Sequence, residues 1–587
     1  MKQFLITVAG VLAGLILFLV IGPIILISAI SSSMNAAPAA PSAMVLALDL
    51  REEMTDQRPQ SPLAAFGAGP SLMDVVQKLD AAATDDRVKG VYIRANTDGT
   101  SPAHAEELRD ALARVRAAGK FVIAHVQGDG VRLSMAGFAA VAGADAVYLQ
   151  GSSEFMPMGL AAEGSFFADT LRRFRMQAQF EAREEYKTAA NSITESGFTP
   201  SHREETLSLM NGVYDNMIAH IAADRDITPA AVRAAIDGSP YTAERAKELK
   251  LIDEIGRPED AERAALARAG EGAEIVEFAA YHPRPASGGD VIAVVGGEGE
   301  IVSGVPDGSP FGGDILMNSD AIARALLDAG EDEDVKAIIF RVSSPGGSVV
   351  ASDQILHALR TVRENGKRVV ISMGDVAASG GYYVAAEADE IVASPSTITG
   401  SIGVIGGKIV LGPALEHYLS VRTETLTVGS PLVTMFSADQ PFTNEGRTAF
   451  AGYVDRAYQE FLQRVATGRR LTVAQVREVA RGRVWTGAQA KERGLVDHLG
   501  GFQTALARAR ALGGIDENAT VQLRMFPAER SPIEELQELL GVSASQTQAL
   551  AVMSRVLGED ATAAALVAAL DRREAAVRAE AAPVRIR

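Results

Sequence analysis

Residues 372–393, "SMGDVAASGGYYVAAEADEIVA", set Ser379 among Ala377, Ala378, Gly380 and Gly381, directly ahead of an apolar run. Small residues let a backbone turn sharply and let a ligand approach it closely. The pattern therefore suits a serine nucleophile attacking a carbonyl, and such a hydroxyl needs a base to take its proton. No histidine lies nearby in the sequence. Other hydrolytic constellations are weaker. None of the eight histidines forms an HExxH zinc pair, and the G-x-S-x-G elbow is absent around Ser379. The absence of cysteine excludes thiol catalysis, disulfides and cysteine-ligated metals. A Ser-His-Asp triad through His357 or His417 stays open, although both read better as residues on amphipathic helices.

The elements that must position Ser379 emerge from an internal repeat. "VKGVYIR" at 88–94 matches "VKAIIFR" at 335–341, and "AGKFVI" at 118–123 matches "NGKRVV" at 365–370. Further on, "AGADAVYL" at 142–149 matches "AEADEIVA" at 386–393. "YTAERAKELKLIDEIG" at 241–256 matches "WTGAQAKERGLVDHLG" at 485–500, with seven of sixteen positions identical, where composition gives about one. The chain reads as a tandem duplication of residues 45–285 and 286–528, with the Pro/Gly-rich "YHPRPASGGD" at 281–290 as linker. Within each copy, short β-branched runs alternate with helical periods, which predicts an α/β fold with buried parallel strands.

The repeat also allows a search for the missing base. The offset between matching segments falls from 247 to 244 residues, so copy 2 carries three extra residues around "GDVAASGG". Counting back by 244 from Ser379 lands on Met135, and Gly347 in "SSPGGS" corresponds to Thr100. Lys187, in "EEYKTAANS", falls opposite Pro431. Taken alone, Lys187 reads as a solvated surface lysine. The pattern argues otherwise, because copy 1 has the lysine without the serine and copy 2 the serine without the lysine.

The net charge of −18 argues against a nucleic-acid binder. Residues 4–30 carry no charge and exceed the ~20 apolar residues that span a bilayer. The expectation is an uncleaved N-terminal transmembrane anchor within residues 1–44, with a cleavage site in "NAAPAAPSA" as the alternative. The amino terminus and Lys2 favour an N-in orientation, with the bulk of the chain outside. Residues 529–587 read as a helical C-terminal tail.

"SPGG" followed by "MGDVAASGGYY" and "PSTITGSIGV", with "YKTA" in the preceding copy, resembles the bacterial signal peptide peptidases of the SppA type (protease IV) in their long double-domain form. The resemblance runs from about residue 45 to 500. It implies tandem ClpP/crotonase-like domains and a membrane-anchored serine protease with no cofactor or metal. It implies Ser379 as nucleophile, Lys187 as general base, Ser401 positioning the lysine amine, and the N–H groups of Gly380 and Gly347 as oxyanion hole. It further implies a homotetramer acting on cleaved signal peptides or other unfolded chains, on the outer side of the bacterial cytoplasmic membrane. A crotonase-type acyl-CoA enzyme and a catalytically inactive membrane scaffold are the competing readings. Whether the lysine and serine meet within one chain or between chains stays open.

Overall fold

The computed structural model describes residues 41–51, 54–58, 69–95, 100–126, 134–284, 288–306 and 315–528. The expected anchor, the expected tail and part of the expected linker lie outside these residues. Among the described residues, no helix is long and apolar enough to cross a membrane.

Two parallel sheets are built with the same strand order. The first runs Glu254–Ile255, Ala146–Leu149, Phe121–Val126, Val88–Ala95, Met44–Leu50 and Glu274–Glu277, every neighbouring pair parallel. The second runs His498–Leu499, Glu390–Ala393, Arg368–Ala378, Val335–Ser344, Asp290–Glu298 and Val521–Phe526, again all parallel. The two orders correspond strand for strand, and the expected α/β class is met.

The central strands are largely apolar because both of their faces are covered. Along Val335–Ser344, Ile338, Phe340 and Val342 enter one core with the helices Ser319–Glu331 and Val349–Glu364. The intervening Ala337 and Ile339 enter a second core with the helix Phe502–Leu512 on the opposite face. This is the two-residue alternation of a strand with both faces buried.

The second sheet is extended at the carboxyl end of Arg368–Ala378. There Ile398–Gly400 pairs parallel with Val376–Ala378 and antiparallel with Val484–Thr486. The halves are joined by a strand that leaves the first copy, Gln177–Ala182, which pairs antiparallel with Ile405–Val410 of the second.

A second junction is polar and fully buried. Arg341, 0% exposed, projects from the central strand of the second sheet. It donates to both carboxylate oxygens of Asp56 and pairs with Glu107 at 2.7 Å, and both carboxylates come from the first copy. His104 Nε2 lies 3.3 Å from Asp56. Asp56 holds its carboxyl far below the usual range despite burial, because the guanidinium of Arg341 and then His104 favour the ionised form.

Candidate active site

Ser379 stands between the end of the strand Arg368–Ala378 and the helix Gly380–Ala385, with φ 54° and ψ −118°. Its N–H donates to Gly400 O at 2.9 Å, and its carbonyl accepts from the Tyr383 N–H at 2.9 Å. A non-glycine residue in this region of backbone space carries strain. The strain has a consequence: the side chain makes no capping bond to its own helix, which leaves Oγ for other work. The corresponding helix of the first copy, Met135–Val141, shows the contrast. Its cap is Ser134, at φ −67° and ψ 147°, with Oγ accepting from the Gly137 N–H at 2.9 Å. The repeat set Met135 opposite Ser379, yet a serine does stand one residue earlier in the first copy, spent on an ordinary cap.

Lys187 is brought in by the strand that crosses between the halves. After Ala182 the chain stays on the second copy: the Arg183 N–H donates to Val404 O at 2.9 Å and the Tyr186 N–H to Arg481 O at 3.2 Å. Lys187 then packs on Gly482, which has φ 79°; a Cβ there would lie 2.5 Å from the Lys187 nitrogen. Only glycine satisfies both the backbone angle and the approach.

The amine meets three oxygens of the second copy. Lys187 Nζ lies 2.9 Å from Ser379 Oγ, 2.9 Å from Ser401 Oγ and 3.0 Å from the Ser401 carbonyl oxygen. Ser401 is itself at φ 50°, and its N–H donates to Arg483 O at 2.8 Å. A neutral amine has two N–H groups and one lone pair. With the two N–H groups on Ser401, the lone pair faces the Ser379 hydroxyl. Lys187 is 7% exposed, so the surface-lysine reading is corrected: the side chain is buried between the copies. Burial pushes its amine down to about 8, against an opposing pull from the Glu205 carboxylate.

Two glycine-bearing loops meet beside Ser379. A Cβ on Gly346, at φ 108°, would lie 2.7 Å from Ser379 Cβ and 2.8 Å from the Gly380 nitrogen. A Cβ on Gly380 would lie 3.2 Å from the Gly347 nitrogen, so the Gly347 and Gly380 N–H groups belong to one small surface. Gly347 bridges Ile301, with bonds from the Ile301 N–H to Gly346 O and from the Ser348 N–H to Ile301 O, both 2.8 Å. In that bridge the Gly347 N–H turns away from Ile301.

The structure thus brings Lys187, Ser379 and Ser401 into contact, with Gly380 and Gly347 adjoining. His357 and His417 are exposed on the helices Val349–Glu364 and Gly412–Leu419, and neither is bonded to Ser379. Two features escaped the sequence reading. Arg341 stands in the run "AIIFRV", where a charge inside a buried strand signals a buried partner. Glu205 carries no comparable signal, lying in an ordinary charged helical stretch.

The model of "Peptidase family S49" matches the chain twice, over residues 115–271 and 361–516. "Protease 4" of Salmonella typhi is 30% identical over 462 residues, covering 76% of this chain and 73% of that relative. "Serine protease SPPA, chloroplastic" of Arabidopsis thaliana is 28% identical over 489 residues, covering 82% of this chain and 70% of the relative. These matches bear out the resemblance to SppA-type proteases and set aside the acyl-CoA reading. The chain belongs to peptidase family S49 and is a serine protease.

Proposed function

We propose that this serine protease works through a Ser379/Lys187 dyad, as a membrane-anchored endopeptidase. The 2.9 Å contact between Lys187 Nζ and Ser379 Oγ, buried between the copies, carries the reading. Neutral Lys187 accepts the Ser379 proton as Oγ attacks the peptide carbonyl, and the resulting ammonium returns a proton to the leaving amine. Ser401 holds the amine through its hydroxyl and carbonyl, which keeps the lone pair on Ser379. The Gly380 and Gly347 N–H groups receive the negative oxygen of the tetrahedral intermediate, with no side chain between them and the substrate. Water then takes the place of the leaving amine, with Lys187 again as base, and releases the acyl group.

The finer features follow the family resemblance. The repeated strand order supports tandem ClpP/crotonase-like domains. The uncharged run 4–30 supports an anchor in the bacterial cytoplasmic membrane, with the catalytic part on its outer side. Cleaved signal peptides or other unfolded chains are the substrates such a placement favours. Assembly into a homotetramer is what the family resemblance implies, and exposed apolar Leu426, Val428 and Phe436 are side chains that an interface would cover. Mapping of a fluorophosphonate adduct by mass spectrometry tests the dyad. The adduct is expected on Ser379 in the wild type and lost in Lys187→Ala; an adduct on another serine, or undiminished labelling of Lys187→Ala, overturns it.

A further inference from the structure

Glu205 lies in the helix Pro200–Arg225 of the first copy and is 3% exposed. A buried carboxylate needs donors around it. Glu205 takes one from each side of the junction between the copies. Thr188 Oγ1, on the residue after Lys187, donates to Glu205 Oε1 at 2.6 Å. The Val484 N–H of the second copy donates to Oε2 at 3.4 Å. Val484 pairs with Gly400, the residue before Ser401 and the acceptor of the Ser379 N–H. A single carboxylate therefore links the turn that carries the amine to the strand that sets Ser379 and Ser401.

We propose that Glu205 is a positioning residue of the proteolytic centre: it pins the Lys187 turn to the strand beside Ser401 and supplies the counter-charge for the buried ammonium formed when Lys187 takes a proton. The proposal rests on Lys187 acting as the base. Glu205 does not touch the amine, whose contacts are Ser379 and Ser401; it acts through space and through Thr188. The groups that face Glu205 are Thr188, the Val484 N–H, Arg483 and Lys187. Arg483 is engaged elsewhere, donating to Glu204 at 2.9 Å and lying 4.8 Å from the Tyr186 ring and 4.6 Å from the Trp485 ring. Burial raises the Glu205 carboxyl, while these donors and cations favour its ionised form. That charge opposes the effect of burial on Lys187.

The test is the pH dependence of kcat/KM for peptide cleavage, and of fluorophosphonate labelling, in the full chain. Glu205→Gln keeps an acceptor for Thr188 but removes the charge, so the ammonium is less favoured and the rising limb moves to lower pH, by about half a unit to one unit. The alkaline plateau should fall as well, because the amide offers one acceptor oxygen where Thr188 and the Val484 N–H donate to two. Glu205→Asp, which keeps the charge, should leave the limb near its wild-type position. Thr188→Val tests the pinning: kcat should fall several-fold with KM little changed. A Glu205→Gln enzyme with its limb at the wild-type pH, or a Thr188→Val enzyme with wild-type kcat, overturns the proposal. If the wild type has no limb near 8, or Lys187→Arg stays active, the dyad itself fails, a distinct outcome.

Discussion

Lys187 Nζ and Ser379 Oγ stand 2.9 Å apart although 192 residues separate them in the chain and each comes from a different copy of the repeat. Because burial holds the amine near 8, most of the enzyme at neutral pH carries an ammonium that cannot accept a proton. Turnover should therefore rise with pH through about 8 and level off above it, without a histidine-like step near 6.5. Lys187→Arg should be inactive at every pH, since a guanidinium does not deprotonate. A pH–rate profile of the two enzymes checks both statements, and a flat wild-type profile from 6 to 9 would count against the dyad.

The same amine should cost stability. Its depression from 10.5 to about 8 corresponds to roughly 3 kcal/mol of disfavoured charge in the folded state. Below about 8 both folded and unfolded chains are protonated and the cost is fully present. Between about 8 and 10.5 only the unfolded chain holds the proton, so wild-type stability rises with pH. Lys187→Met removes the charge but keeps the stem. It should be more stable than the wild type at pH 7 by about 1–3 kcal/mol, an advantage that shrinks toward pH 10. Denaturant titrations at the two pH values measure it.

How far the site was legible in the sequence follows from where each constraint lies. Ser379 was visible because its small neighbours are adjacent in the chain, and Lys187 because the repeat supplied an internal comparison. The burial of Lys187 was not visible, since Gly482 and the carbonyl oxygen of Ser401 reach it only through the strand crossing between the copies. The cap Ser134 was missed for a different reason: the three-residue length difference falls beside it, where counting residues cannot fix an equivalence. The α/β class was readable from β-branched runs alternating with helical periods. Arg341 and Asp56 lie 285 residues apart, and no local pattern names such a partner.

Ser401 touches the amine through two oxygens, and only one of them is removable by mutation. Ser401→Ala keeps the carbonyl and loses the hydroxyl. The amine should then be less well oriented, and kcat should fall by about 10–100-fold, the equivalent of one lost hydrogen bond of about 1.5–3 kcal/mol, with KM little changed. Steady-state kinetics give both constants; an unchanged kcat would leave orientation to the carbonyl alone.

Among the described residues, Arg341 is the only cation paired with the buried carboxylates of Asp56 and Glu107 apart from His104. Arg341→Met would leave Glu107 uncompensated and Asp56 with His104 alone, so the chain should lose about 3–5 kcal/mol of stability. Asp56→Asn should be milder, because Glu107 still pairs the guanidinium. Chemical denaturation of both variants checks the order. Equal effects would show that the network is not organised around Arg341.

In this structure both members of the dyad belong to one chain, with Lys187 delivered by the Gln177–Ala182 strand onto Ile405–Val410. A mixture of full-length Lys187→Ala and Ser379→Ala chains, refolded together, should then stay inactive, because each chain lacks one member of its own site. Native mass spectrometry must first show that mixed oligomers formed. Residues 286–528 alone should not react with a fluorophosphonate, even when folded, for lack of the amine. Adding residues 45–285 as a separate chain should restore weak labelling, because the covalent link supplies an effective concentration on the order of mM that two free fragments lack. Activity recovered in a verified mixed oligomer would instead mean that the crossing strand is exchanged between chains. Peptide hydrolysis by the isolated 286–528 fragment would remove the need for Lys187 altogether.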